Sequence, residues 1–163
     1  MAWSRTLRRV RREIARYRRA IPKLRALGWR DWRDLVRAQI ALSRAQRDMR
    51  SLPTGGMVRD ASSSVATPVV DRMDEARRIA LAMNRAAAFG LFRPKCLVKS
   101  RALRRMLDEA GIEGAEVRVG VRLHEGRFAA HAWVEYAGHV VGDDPRDIEQ
   151  YVPMTGIQVA ELE

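Results

Sequence analysis

Apolar residues in the first 50 positions recur every three or four residues, which is the period of an amphipathic helix. Between Trp3 and Leu24 they form one stripe, and arginines occupy the other faces. Pro22 and Gly28 interrupt this pattern, so we expect the first helix to end there. A second helix is expected to follow, with Asp31 as its N-cap.

A stretch rich in Pro, Gly and Ser comes next, at residues 51–70, and is typical of a loop or linker. Helical spacing returns from about Asp71 to Phe89 and again from Cys96 to Ala110, where Gly111 is a suitable terminator. The predicted organisation is a basic helical region at 1–50, a linker at 51–70 and a catalytic domain at 71–163.

The period then changes from helical to alternating. Residues 117–123 alternate between apolar and polar or glycine positions, residues 124–127 form a turn, and 128–135 alternate again. Gly138 marks a second turn before Val140 and Val141. A helix followed by an antiparallel meander predicts an α+β fold.

The net charge of +11 is concentrated at one end of the chain. Residues 1–50 hold 16 Lys and Arg against 4 Asp and Glu, whereas residues 51–163 hold 15 against 16. The basic helices therefore either contact an anionic surface, such as a membrane or a nucleic acid, or pack on their own domain. No apolar run approaches the ~20 residues of a membrane span, and no secretory signal is evident. A cytoplasmic location, with possible membrane association, is the expectation.

Cys96 stands out because it is the single cysteine, which excludes an intramolecular disulfide or a cysteine pair for zinc. It lies in the first turn of a predicted helix, beside Lys95, and both the helix dipole and the neighbouring cation favour the nucleophilic thiolate. The alternative is that Cys96 is a small buried residue without a chemical role.

His131 is the candidate base, in the middle of a predicted strand and flanked by alanines that leave its ring accessible. A structural histidine is the alternative. Trp133 and Glu135 share its strand face, and Trp133 is a candidate substrate contact. Neither the cysteine nor the histidine identifies the chemistry alone.

An acid that orients the imidazole would complete a triad, and hairpin register distinguishes Asp143 from Asp144. A two-residue turn at Ala137–Gly138 pairs His131 with Asp144 but forces Ala137 to positive φ, which alanine resists. A three-residue loop from Tyr136 to Gly138 closes on Glu135 and His139 and places Asp143 opposite His131. The three-residue loop, and hence Asp143, is preferred.

These residues carry a resemblance to a known family. The order of cysteine, histidine and an acid before a proline resembles the transglutaminase-like superfamily, and more closely the leader peptidases of lasso-peptide biosynthesis. The matching segments are Cys96-Leu97-Val98-Lys99-Ser100, Ala102-Leu103, Leu107 through Gly111, Val119-Gly120-Val121, Phe128 through Glu135, Gly138 and Asp143-Asp144-Pro145. The likeness covers roughly residues 70–155. Lys95 departs from the pattern, in which a small polar residue often precedes the cysteine.

The resemblance implies a papain- or transglutaminase-like fold in which Cys96, His131 and Asp143 hydrolyse a peptide bond without a metal or cofactor. The substrate would be the leader region of a ribosomal precursor peptide. A separate leader-recognition protein and a lasso cyclase are the implied partners. Two other functions remain open: transfer of the acyl group to an amine, and binding of a nucleic acid or membrane through residues 1–50.

Overall fold

A computed structural model describes residues 28–51, 58–60, 72–124, 126–154 and 157–159. The helix predicted between Trp3 and Leu24, and most of the 51–70 stretch, lie outside these residues. The chain divides into two compact units, residues 1–34 and residues 35–163.

The helices follow the predicted periodicity, but Asp31 lies in the first turn of its helix and is not the predicted N-cap. They are α1 (Trp29–Ser51), α2 (Met73–Phe89), α3 (Cys96–Glu109) and the short α4 (Pro145–Ile148). Helix α3 ends as expected, because Gly111 adopts a φ of 70° directly after Ala110. The Gly111 N–H donates to the Asp108 carbonyl, and the Ile112 N–H donates to the Leu107 carbonyl. These bonds satisfy carbonyls that have no partner within the last turn of the helix.

The strands form two antiparallel sheets. They are β1 (Val58–Asp60), β2 (Glu116–His124), β3 (Arg127–Tyr136), β4 (His139–Val141), β5 (Val152–Pro153) and β6 (Ile157–Val159). The larger sheet has the order β4-β3-β2-β5, and β1 pairs with β6. Helices together with an antiparallel sheet give the α+β, papain-like fold that the sequence predicts.

The core of the 35–163 unit lies between the helices and one face of the larger sheet. Leu42 of α1 and Leu103 of α3 are fully buried, as is Val134 of β3. Ala38, Ala41 and Ala45 of α1 belong to the same core cluster. The second half of the predicted basic region therefore completes the core, and the compact unit begins at residue 35 instead of near the predicted start at 71.

The β3–β4 turn differs from the preferred prediction. Tyr136 pairs with His139, which leaves a two-residue turn with Ala137 at φ 49° and Gly138 at φ 75°. The three-residue loop was wrong because it places Tyr136 in the loop, whereas the observed register buries its ring. Burying a large side chain is worth about 1.5–3 kcal/mol. That gain offsets the cost of a left-handed alanine, about 1–2 kcal/mol.

Candidate active site

Cys96 is the first residue of α3 and is half-buried. Lys95 is the N-cap, in an extended conformation, and its side chain makes no capping hydrogen bond. The loop before Cys96 is tied to α1, because the Leu91 N–H donates to Gln39 Oε1 at 3.3 Å. A Cβ on Gly90 would collide with that amide oxygen and with the backbone carbonyl oxygen of Ala86, which cannot move aside, so this position requires glycine for space.

Two neighbours of Cys96 on the helix fix the orientation of α3 against the sheet. Lys99 and Ser100 lie three and four residues on, and so share a helix face with Cys96. Ser100 Oγ donates to the Ala132 carbonyl of β3 at 2.8 Å, and this side chain is buried. Lys99 Nζ donates to Asp143 Oδ1, also at 2.8 Å. The helix face that carries Cys96 is therefore directed toward β3 and Asp143.

His131 and Asp143 lie together at the point where β4 ends. His131 Nε2 is 3.7 Å from Asp143 Oδ1, and the two side chains are 25% and 16% exposed. This distance allows electrostatic attraction but exceeds a good hydrogen bond. Asp143 Oδ2 is buried and has no hydrogen-bond partner among the described residues.

Gly142 explains why Asp143 lies near His131 despite the two-residue turn. It adopts a φ of 87°, which ends β4 after Val141 and changes the direction of the chain. The regular pairing that would have brought Asp144 opposite His131 therefore stops short. Asp144 instead caps α4, with its Oδ1 accepting from the Arg146 N–H at 3.0 Å.

The His131 ring also has aromatic neighbours. It is stacked on Trp133, with centroids 6.4 Å apart, and the Tyr151 ring lies 5.4 Å away. Trp133 is fully buried and donates from Nε1 to Glu135 Oε1 at 2.8 Å. This burial differs from the expectation that Trp133 contacts substrate, and makes it a support for the His131 ring. Gly120 leaves the space for its indole, since a Cβ there would lie 2.8 Å from Trp133 Cη2.

The structure therefore brings His131 and Asp143 together and directs the Cys96 face of α3 toward them. Among the described residues, Cys96 Sγ and His131 form no hydrogen bond with each other. No cluster of three potential metal ligands occurs among the described residues. No helix in the same residues is long and apolar enough to cross a bilayer.

Sequence reasoning missed two residues of this site. The Cys96–Lys99 spacing of one helical turn was a signal that Lys99 belongs to it, because such residues share a helix face. Nothing in the local sequence marks Tyr151, which reaches His131 only because the chain returns after α4 to pair β5 with β2.

Comparison with known families agrees with this fold. The model of the transglutaminase-like superfamily matches residues 25–156. The chain belongs to this superfamily, whose members are typically cysteine-dependent enzymes. The match includes the whole of α1, in keeping with the core contribution of that helix.

A more specific similarity covers a shorter segment. The chain is 40% identical over 55 residues to the microcin J25-processing protein McjB of Escherichia coli. This segment is 34% of the chain and only 25% of the length of McjB. No solved structure matches the chain significantly.

Proposed function

We propose that this protein is a cysteine protease that removes the leader from a lasso-peptide precursor. The observation that carries the proposal is the His131–Asp143 pair beside the helix face that bears Cys96. The similarity to McjB supports a role in peptide processing. The resemblance of the histidine strand and cysteine helix to lasso leader peptidases supports the choice of substrate.

The proposed reaction is acyl transfer from the precursor to water. His131 accepts the Cys96 proton, and the thiolate forms a bond to the scissile carbonyl carbon. The carbon–nitrogen bond then breaks as His131 returns the proton to the leaving amine. Water, deprotonated by His131, hydrolyses the thioester and regenerates the thiol.

The remaining groups stabilise charge during these steps. Asp143 orients the imidazole and stabilises its protonated form. The N–H groups at the start of α3 are available to the oxyanion because the N-cap residue Lys95 supplies no side-chain acceptor. Lys99 Nζ donates to Asp143 Oδ1, the same oxygen that lies near His131 Nε2, and so holds the carboxylate in place.

Other proteins complete the proposed pathway. The precursor would be delivered by a separate leader-recognition protein, and a lasso cyclase would close the ring after cleavage. Residues 1–50 carry the excess positive charge of the chain and are the proposed contact to an anionic surface. The protein is proposed to be cytoplasmic.

The test first searches the genes beside this one for a short precursor peptide and a small leader-recognition protein, and then uses these two as substrate and partner. We expect the full-length protein to cut the precursor at one bond, and Cys96→Ala to be folded but inactive. Iodoacetamide should alkylate Cys96 at pH 7 faster than it alkylates a free cysteine peptide. Absence of cleavage, or cleavage by Cys96→Ala, would overturn the proposal. An amine conjugate formed in place of the free acid would identify an acyltransferase.

A further inference from the structure

One edge of β3 is only partly covered. Strand β2 pairs with β3 along its whole length, from the Glu116–Glu135 pair to the His124–Arg127 pair. On the other side, β4 pairs only with residues 134–136. Among the described residues, no strand covers this outer edge of β3 between Arg127 and Trp133.

The hairpin registers show which backbone groups point outward. Residues that flank a two-residue turn exchange hydrogen bonds, so Tyr136 directs its N–H and C=O toward β4 and His139. Every second residue back along β3 points the same way, which includes Ala132, Ala130 and Phe128. The contact from Ser100 Oγ to the Ala132 carbonyl agrees with this assignment.

The turn between β2 and β3 independently shows that the even-numbered residues of β3 direct their backbone groups toward the outer edge. His124 and Arg127 flank that turn, so Arg127 and the other odd-numbered residues of β3 direct their backbone groups toward β2. Ser100 already occupies the carbonyl of Ala132. The N–H and C=O groups of Phe128 and Ala130 are therefore the next hydrogen-bonding groups along the outer edge.

An apolar surface adjoins these groups. Phe128 pairs with Leu123 across the sheet, and the two side chains are 82% and 64% exposed. Alternation places both on the same face as Ala132 and Val134, which are buried. The apolar face of the sheet thus continues beyond the part that contributes to the core and is exposed at Phe128. Large exposed apolar side chains in a cluster mark a binding surface.

We propose that the outer edge of β3 at Phe128 and Ala130 binds the substrate peptide as an added antiparallel or parallel strand. This inference deepens the proposed function and rests on it. The occupant is the peptide because the edge leads directly to the candidate site: Ala132 contacts the first turns of α3, and His131 lies between Ala130 and Ala132. An extended peptide on this edge satisfies the outward backbone groups and delivers its carbonyl toward Cys96.

The proposal also predicts side-chain specificity. Alternate side chains of an added strand fall on the same face as Phe128 and Leu123. The substrate segment on this edge should therefore carry an apolar residue at the position that packs on the Phe128 ring, and a charged residue there should be disfavoured.

Proline substitutions at neighbouring positions test the backbone contact. Ala130→Pro removes an N–H that points outward and leaves the β2–β3 hydrogen bonds intact. We expect cleavage of the precursor to fall about tenfold or more, as the loss of a hydrogen bond and obstruction of the edge imply. Thermal unfolding and the Cys96 alkylation rate should change little. Ala129→Pro, whose N–H points toward β2, is the control that should destabilise the fold.

A second pair of variants tests the apolar contact. Phe128→Ser should raise the KM for the precursor several-fold with little effect on kcat, and Phe128→Leu should restore most of the loss. Because Phe128 is so exposed, neither variant should affect folding. Amide exchange in Cys96→Ala provides a further readout: precursor binding should slow exchange at Phe128 and Ala130.

The outcomes separate this inference from the proposed function. If the wild-type protein cleaves the precursor but folded Ala130→Pro and Phe128→Ser cleave it equally well, the edge is not the binding site. Unchanged amide exchange at Phe128 and Ala130 in a bound complex would also exclude the edge, even if Ala130→Pro fails to fold. If the wild-type protein does not cleave the precursor, the proposed function itself fails.

Discussion

At the scale of single residues, Asp143 is held between two cations or potential cations. Lys99 Nζ lies 2.8 Å from Oδ1, and His131 Nε2 lies 3.7 Å from the same oxygen. The carboxylate is largely buried, so water compensates its charge poorly. In the proposed mechanism this charge stabilises the imidazolium, whereas Asp144 serves the N-terminus of α4.

Substitution of the two acids by asparagine tests this division of roles. Asp143→Asn should reduce kcat for precursor cleavage by a factor on the order of 10²–10⁴, because asparagine holds the ring but stabilises the imidazolium poorly. Asp144→Asn should have a small effect, since asparagine is also a good N-cap. Steady-state kinetics of both variants is the measurement. A normal rate for Asp143→Asn would require a different orienting residue.

A second prediction at this scale concerns the contribution of the Lys99–Asp143 pair to stability. Lys99→Gln removes the positive charge that pairs with a largely buried carboxylate, so the free energy of unfolding should fall by roughly 1–3 kcal/mol. Lys95→Gln is the matched control, because Lys95 is an exposed residue with no capping contact. Urea denaturation distinguishes the two. Equal stabilities would show that the Lys99–Asp143 pair contributes nothing net, as is common for exposed pairs.

At the scale of the elements, local sequence patterns predicted the helices and strands but not the register in which the strands pair. The helical spacing from Cys96 and the alternation in 117–123 and 128–135 identified α3, β2 and β3, because each element buries a regularly spaced face. The β3–β4 register was not predictable from turn preferences. It depends on burial of Tyr136, a tertiary effect that a rule about alanine and positive φ does not contain.

The location of Asp143 shows a related limit of prediction from sequence. The three-residue loop selected this residue, but the observed reason for its position beside His131 is the break at Gly142. A glycine in a short strand suggests a bend, yet the sequence does not say in which direction the chain turns. Lys99 was within reach of sequence reasoning through its helical spacing, whereas Tyr151 required the complete sheet.

Gly142 itself can be tested against a second glycine. Gly142→Ala should lower both stability and cleavage, because alanine at φ 87° is strained and its Cβ would lie 2.9 Å from Leu103 Cδ2. Gly126→Ala isolates the cost of backbone strain from that of a steric clash, since Gly126 has a φ of 74° but nothing within 4 Å of an added Cβ. Gly126→Ala should cost only about 1–2 kcal/mol and leave cleavage intact. Urea denaturation and cleavage assays provide both quantities.

At the scale of the whole molecule, the distribution of charge groups the first 50 residues into one segment, whereas packing separates them near residue 35. Net charge suggested one basic appendage ending near residue 50. The structure instead places α1 partly in the compact unit 35–163, with Leu42 fully buried and Ile40 exposed. Composition did not predict this because the arginines of an amphipathic helix dominate the charge count, whereas small and apolar residues on the opposite face determine the packing.

Truncation and substitution of α1 test this assignment. Deletion of residues 1–50 should abolish cooperative folding, because it removes Ala38, Ala41, Leu42 and Ala45 from the core. Deletion of residues 1–27 removes 10 Lys and Arg and one Glu but none of these core residues, so the fold should persist. In the full chain, Leu42→Ala should cost roughly 2–5 kcal/mol, whereas Ile40→Ala on the exposed side should cost much less. Circular dichroism and urea denaturation give the comparison. A folded 51–163 fragment would contradict the core role of α1 and restore the simpler division at residue 50.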